Sequence, residues 1–158
     1  MEALIEEYGR GYGMLQEAVE GLTEEELRFK PAPDKWSIHE ILIHLADSEL
    51  VSTQRLKKVL AEDEPLIMSW EQDVWVKNLG YEKQDREQHL LLFQMLRAHM
   101  QPVLAQLTAE QCERVGVFED GARFTFRQML EYRVKHVRIH HAQIERVKEA
   151  YRQSRVGY

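Results

Sequence analysis

Residues 125–151 read TFRQMLEYRVKHVRIHHAQIERVKEAY. Thr125 and Gln128 have the spacing of a capping box, in which a threonine and a glutamine three residues on satisfy backbone groups at a helix start. On a wheel of about 100° per residue with His136 at zero, Met129 and Val147 fall near 20° and His140 near 40°. Ile144 falls near 80° with Phe126 close by, and His141 near 140°, beside Val134 and Leu130. The stretch is therefore one long amphipathic helix. His136 and His140 project from the middle of its apolar face, one turn apart.

Working outward, three more long segments carry the same period. Residues 2–20 hold Leu4, Ile5, Tyr8, Tyr12, Leu15, Ala18 and Val19, with Gly21 as a stop. Gly9, Gly11 and Gly13 each weaken that helix by up to ~1 kcal/mol against alanine, so they mark the close approach of a neighbouring backbone. Ser37 and Glu40 form a capping box that opens a helix to about residue 61. Asp85 opens the third long helix, to about residue 107, with Pro102 expected to kink it. Thr23 with Glu26, Ser69 with Gln72, and Thr108 with Gln111 cap shorter helices, the middle one closed by Gly80. Residues 115–118 form at most one short extended strand, ahead of the Glu119-Asp120-Gly121 turn.

This pattern predicts an all-α fold, a four-helix bundle with a long structured crossover at residues 62–85, between the second and third long helices. A crossover of that length lets those two helices run parallel. At 158 residues the chain is expected to be a single domain spanning 1–158. One cysteine excludes an internal disulfide, and no apolar run approaches the ~18 residues of a membrane span. With the acidic start Met1-Glu2-Ala3-Leu4-Ile5-Glu6-Glu7, these features lead to an expectation of a cytoplasmic protein. The net charge of −6 argues against nucleic acid as a partner. Arg127, Arg133, Lys135, Arg138, Arg146, Lys148, Arg152 and Arg155 alternate with Glu131, Glu145 and Glu149 and read as a solvated, salt-bridged face.

Two inward imidazoles one turn apart can point at one metal ion. For a third ligand, the helix at 37–61 offers His44, at the edge of the face formed by Ile38, Ile41, Leu45, Ser52, Leu56 and Val59. His39 lies on the opposite, solvent side, and His89 and His99 read as bundle-edge residues held in reserve. Three neutral histidines leave an open coordination position, the mark of a catalytic rather than a structural site. Zinc is the first choice for one divalent ion there and nickel the second. Glu40, Ser48 and Gln143 stand near enough in sequence to orient the ligands. Trp70, Trp75 and Tyr81 on the crossover are candidate pocket walls. Cys112 has no activating neighbour in sequence and reads as a tolerated thiol in a surface capping segment.

The segment Lys35-Trp36-Ser37-Ile38-His39-Glu40-Ile41-Leu42-Ile43-His44-Leu45-Ala46-Asp47-Ser48-Glu49 resembles the W-S…HLAD-x-E block of the DinB/YfiT-like superfamily. His136-Val137-Arg138-Ile139-His140-His141-Ala142-Gln143-Ile144 resembles its C-terminal H-x-x-x-H-x-x-Q-I block. Asp73-Val74-Trp75 with Tyr81, Gly121 followed by Thr125, and the Thr108 cap also fit, so the likeness covers nearly the whole chain. It implies a four-helix bundle of unusual connection order, often dimeric. It also implies a zinc or nickel ion held by three histidines, here His44, His136 and His140. Characterised relatives are thiol-dependent, bacillithiol S-transferases and mycothiol-dependent isomerases, and others are labelled metal-dependent hydrolases. The resemblance thus implies a low-molecular-weight thiol or water as nucleophile and a small-molecule substrate. The alternative is a non-catalytic, dimeric interaction module, for which Ile43 and Leu50 supply a second apolar face on the helix at 37–61.

Overall fold

The structure, a computed structural model, describes residues 1–156. Four long helices dominate it: α1 (Glu2–Val19), α3 (Ile38–Ala61), α5 (Arg86–Leu104) and α7 (Phe126–Val156). Short helices α2 (Glu24–Arg28), α4 (Gln72–Asn78) and α6 (Ala109–Cys112) lie between them, with a 3-10 turn at Tyr81–Lys83. Gly21, at φ 74°, supplies the left-handed turn after α1. Thr23, Ser37 and Thr108 each form a complete capping box, and the Asp85 carboxylate accepts from the N–H groups of Glu87 and Gln88. Thr125 and Gln128 bond reciprocally at the start of α7.

The box expected at Ser69 does not form. Its N–H and hydroxyl both go to the Glu119 carboxylate, and α4 starts at Gln72 without a side-chain cap. A charged acceptor from another part of the chain outcompetes the local glutamine. Glu119 follows a small sheet that the helical period could not show: β1 (Leu66–Ile67) pairs parallel to β2 (Val115–Phe118), which pairs antiparallel to β3 (Arg123–Thr125). Two- to four-residue strands leave too few residues to establish an alternation.

Two apolar clusters define the direction of each helix. One gathers Leu15, Leu42, Leu90, Phe93, Val137 and Ile144. The other gathers Tyr8, Leu56, Met100, Leu104, Phe126 and Leu130. So α1 and α7 run one way, and α3 and α5 run the other as a parallel pair. Both α1 and α3 pack on α5 and α7, which places α1 diagonally opposite α3 and α5 diagonally opposite α7, with the parallel pair α3 and α5 side by side. The crossover returns along the full bundle to start α5 at the same end as α3. Ile43 is fully buried within the chain, so of the second face expected on α3 only Leu50 remains exposed. Cys112, expected at the surface, is buried at the end of α6.

Between the two clusters lies a polar layer to which every long helix contributes. Glu49, on α3, is fully buried. It accepts from Tyr8 Oη at 2.5 Å, Arg97 Nη2 at 3.1 Å and Arg133 Nη2 at 3.0 Å. Arg133 also donates to Ser48 Oγ at 3.1 Å, and Arg97 donates to the Tyr8 carbonyl at 2.6 Å. Arg133 therefore belongs to the core, not to the solvated basic face expected of it.

Arg97 also explains a glycine. A Cβ on Gly11 would lie 2.1 Å from Arg97 Nη1, whereas one on Gly13 would meet nothing within 4 Å. The close neighbour of α1 is thus a guanidinium rather than a backbone. Gly11→Ala is expected to destabilise the fold by about 1–3 kcal/mol, because the buried network keeps Arg97 from moving. Gly13→Ala is expected to stabilise it by about 0.5–1 kcal/mol; paired urea denaturation curves check both.

Glu49 yields a pH prediction. Burial pushes its carboxyl up, but the charges of Arg97 and Arg133 and the Tyr8 hydrogen bond outweigh that and hold it below its ordinary 4.5. A depressed carboxylate stabilises the fold in full above the unfolded value, and that stabilisation is lost as pH falls through the folded one. Glu49→Gln should cost about 3–5 kcal/mol at pH 7 by leaving two buried cations without their anion. The variant's stability should also fall less steeply than wild type below about pH 4.5, as read from denaturant midpoints between pH 7 and 3.

Candidate metal centre

The Ser37 cap fixes where α3 begins, and its first three turns are enclosed on all sides. His44 sits there with no solvent exposure, not at a face's edge as its sequence position suggested. His136 and His140 come from α7, which packs alongside. One donor nitrogen from each of the three rings lies within 4.8 Å of the others. His136 Nε2 and His140 Nε2 are 3.2 Å apart. That is close to the ~3.3 Å two imidazole nitrogens keep when both lie about 2.0–2.1 Å from a tetrahedral ion.

The protonation states suit ligation. Burial, then the charges of His140 and Arg133, push His44 down to about 3. Burial and the nearby Arg133 guanidinium push His136 lower still, and burial lowers His140. All three rings are neutral at pH 7, the form that ligates metals. His140 Nδ1 is 2.7 Å from Gln143 Oε1, an acceptor, so Nδ1 carries the proton and Nε2 presents its lone pair to the cluster. Both nitrogens of His44 and Nδ1 of His136 are buried without a hydrogen-bond partner. Unpartnered buried nitrogens cost about 1–3 kcal/mol each, so a cluster leaving three of them fits a cation better than an ordinary polar core. The residues present fit one divalent ion.

Aromatic rings hold the imidazoles in place. Trp70, from the crossover, stacks on His44 with centroids 5.7 Å apart and planes within 8°. Trp75 packs edge-on against Trp70 at 4.8 Å, one layer behind. Trp36 lies 4.8 Å from His44 and is near-parallel to His140 at 6.4 Å. It stands immediately before the Ser37 cap, a position that sequence reasoning passed over.

Other candidates lie elsewhere. Ser48 accepts from Arg133 and lines the cavity next to His136, one residue removed from the rings. Glu40 does not reach His44: its carboxylate closes the Ser37 cap and pairs with Lys30 at 2.8 Å. Tyr81 is a fully buried support rather than a pocket wall, with its hydroxyl 2.5 Å from Asp47 and its carbonyl 3.0 Å from His39 Nε2. That same contact buries His39, which was expected at the surface. His89 bonds the Asp85 carbonyl at a half-buried position, and His99 meets Lys57 at an exposed one.

The cluster opens on a cavity of about 500 Å³ beside His136, lined also by Ser48, Ser52, Arg55, Trp70 and Arg133. A smaller hollow of about 250 Å³ touches His140, Gln143 and Trp36. Sequence reasoning missed Arg133 as a site residue, although it falls near 60° on the wheel that placed His136 and His140. An arginine inside an apolar stripe was the available signal.

Residues 7–144 match the sequence profile of the DinB superfamily, and the chain belongs to that family. A protein of Halalkalibacterium halodurans named "Putative metal-dependent hydrolase BH0277" is 30% identical over 124 residues, 78% of this chain and 72% of that one. "Uncharacterized protein YuaE" of Bacillus subtilis is 26% identical over 144 residues, 83% of this chain and 88% of that one. The structure of YfiT from Bacillus subtilis superposes with a TM-score of 0.87 at 26% identity, covering 94% of this chain and 85% of YfiT. YfiT is described as a probable metal-dependent hydrolase with an unusual four-helix bundle topology.

The Gln143 contact generates a test. Gln143→Ala removes the acceptor that fixes the His140 tautomer. It is expected to weaken zinc binding roughly 10–100-fold with the fold intact, measured by competition with a chromophoric chelator.

Proposed function

We propose that this chain is a metal-dependent hydrolase of small molecules in which His44, His136 and His140 hold one divalent ion, zinc before nickel. The observation that carries the reading is the meeting of three buried, neutral imidazoles beside a cavity, with both nitrogens of His44 and Nδ1 of His136 lacking any hydrogen-bond partner. The names given to relatives point the same way. An ion with three imidazoles and an open position supplies Lewis acidity, which polarises a carbonyl or phosphoryl oxygen and makes water or a thiol nucleophilic near pH 7.

The chain's own groups do the rest. Gln143 holds the proton on His140 Nδ1, so that Nε2 faces the centre. Trp36 and Trp70 fix the planes of the rings and keep bulk water from their faces. Arg133, tied to Glu49 and Ser48, supports a fixed positive potential on the cavity side, where a reaction that develops negative charge gains most. Among the described residues no Asp or Glu lines the main cavity; Tyr132 does, its ring centroid 5.8 Å from that of His136, and it is our candidate for moving a proton there.

A low-molecular-weight thiol is the second candidate nucleophile. Its support is a second hollow that reaches His140 while the main cavity reaches His136, which gives two small ligands room near the histidines. The chain's own thiol is buried in α6 and takes no part.

Elemental analysis of untagged protein tests the reading. About one zinc or nickel per chain is expected, lost in both His44→Ala and His140→Ala while the helical circular dichroism is kept. Hydrolysis of chromogenic esters should fall at least ~100-fold on chelation and return with added zinc. No bound metal after incubation with zinc or nickel would overturn the proposal. Metal bound without ester hydrolysis, but with glutathione conjugated to an aryl halide, would replace water by a thiol.

A further inference from the structure

The cavity beside the histidines is polarised. Its volume, about 500 Å³, suits a small metabolite, and Leu56, Phe118, Phe124 and Met129 make much of its wall apolar. Two guanidiniums, Arg55 and Arg133, line it, and no carboxylate does among the described residues. We propose that it takes an anionic substrate, a carboxylate on an aromatic or branched apolar body, and that Arg55 selects the charge. This rests on the metal-site reading for where the reacting bond lies, but the recognition of the anion stands on the cavity itself.

The charges near the cavity do not balance. Arg97 and Arg133 are both buried and share the single carboxylate of Glu49. Arg133 is 4% exposed, and its Nε is buried with no partner. Arg55, half-buried on the next turns of α3, makes no ion pair among the described residues. One Nη2 donor goes to the Met68 carbonyl, and its guanidinium carbon lies 5.8 Å from the Phe118 ring centre. Its remaining donors have no protein acceptor among the described residues. Glu119, the acid whose field reaches Arg55, is occupied by Ser69. Burial first, and then the like charge of Arg133, hold Arg55 below its usual range.

Cations taken out of water are costly unless an anion meets them. Here Arg55 and Arg133 line an apolar hollow, and the nearby Glu119 carboxylate is turned to Ser69, so an arriving anion supplies Arg55 with a direct partner. A guanidinium offers five donors in a fixed fork that matches a carboxylate's two oxygens, and Arg55 has most of that fork free. Ser52 and Gln128, also lining the hollow, add neutral polar contacts at no charge. The apolar wall then holds the body of the molecule, with its other end toward His136.

The bland account of Arg55 is a strut that pins the crossover through Met68. The test therefore reads selectivity rather than stability. Binding of 3-phenylpropionate and its neutral isostere 3-phenylpropionamide is measured by calorimetry on zinc-loaded and on chelator-stripped protein. In the stripped protein the acid should bind at least tenfold more tightly than the amide. Arg55→Gln should bring that ratio to about one at unchanged zinc content, while Arg10→Gln, on the exposed face of α1, should leave it alone. Equal binding of acid and amide, binding of neither, or selectivity that survives Arg55→Gln would overturn the proposal. So would a preference seen only in the loaded protein, which would assign the carboxylate to the ion. The two readings fail separately. A chain that prefers the acid yet takes up no metal refutes the metal site alone, and a chain that binds metal without preferring the acid refutes this inference alone.

Discussion

One buried carboxylate ties the four long helices together. Glu49 on α3 receives the Tyr8 hydroxyl from α1 and the guanidiniums of Arg97 on α5 and Arg133 on α7. An ion with no water contact is tolerated only where its hydrogen bonds are complete, and each helix supplies one partner. The network therefore specifies register as much as it stabilises. A shift of one turn in any helix would withdraw a partner and strand a buried charge. It also dictates a residue elsewhere, because the guanidinium of Arg97 fills the space where a side chain at position 11 would stand.

That layer separates the bundle into two apolar cores and sets the chemistry above it. Arg133 is anchored below by Glu49 and Ser48, and His136 and His140 follow one and two turns later on the same face of α7. The parallel run of α3 and α5 forces a crossover that travels the length of the bundle. On its way back it lays Trp70 on His44 and wedges Tyr81 against Asp47 and His39. The small sheet that begins and ends this traffic brings Phe118 to the cavity and Glu119 to Ser69. An unusual connection order is thus what walls the site.

How much of this the sequence displayed depended on the range of the interaction. The 3.6-residue period, the five caps formed within four residues of each other and the inward pair on α7 are local, and all were legible. So was the meeting of His44 with that pair, because position on a helix face limits which rings can face the interior. Contacts that depend on distant chain were not legible. Glu119 takes Ser69 from its expected cap, Lys30 helps hold Glu40 at the Ser37 cap and away from His44, and the Tyr81 carbonyl draws His39 inside. Arg133 is the instructive miss: its wheel position was correct and its charge argued against it. A charged residue on an apolar stripe marks a buried partner, and here the partner, Glu49, stood in the quoted block of α3.

The same arginine shapes what the histidines can do. Burial lowers the basicity of all three rings, and the positive charge of Arg133 adds to it. That charge would also oppose a cation among the three histidines, and the trio contains no carboxylate to offset it. Replacing one histidine by a carboxylate would bind a cation more strongly and neutralise part of its charge. An all-imidazole set beside a fixed guanidinium does the opposite, leaving the full positive potential directed at the cavity. Such a centre gives up some affinity for its cation and gains attraction for anions and for negative charge developing on a substrate. A cation on the imidazoles would act in one direction with Arg133 and with Arg55, which has no ion pair among the described residues, and the polar layer that holds the bundle in register also anchors Arg133 beside the histidines.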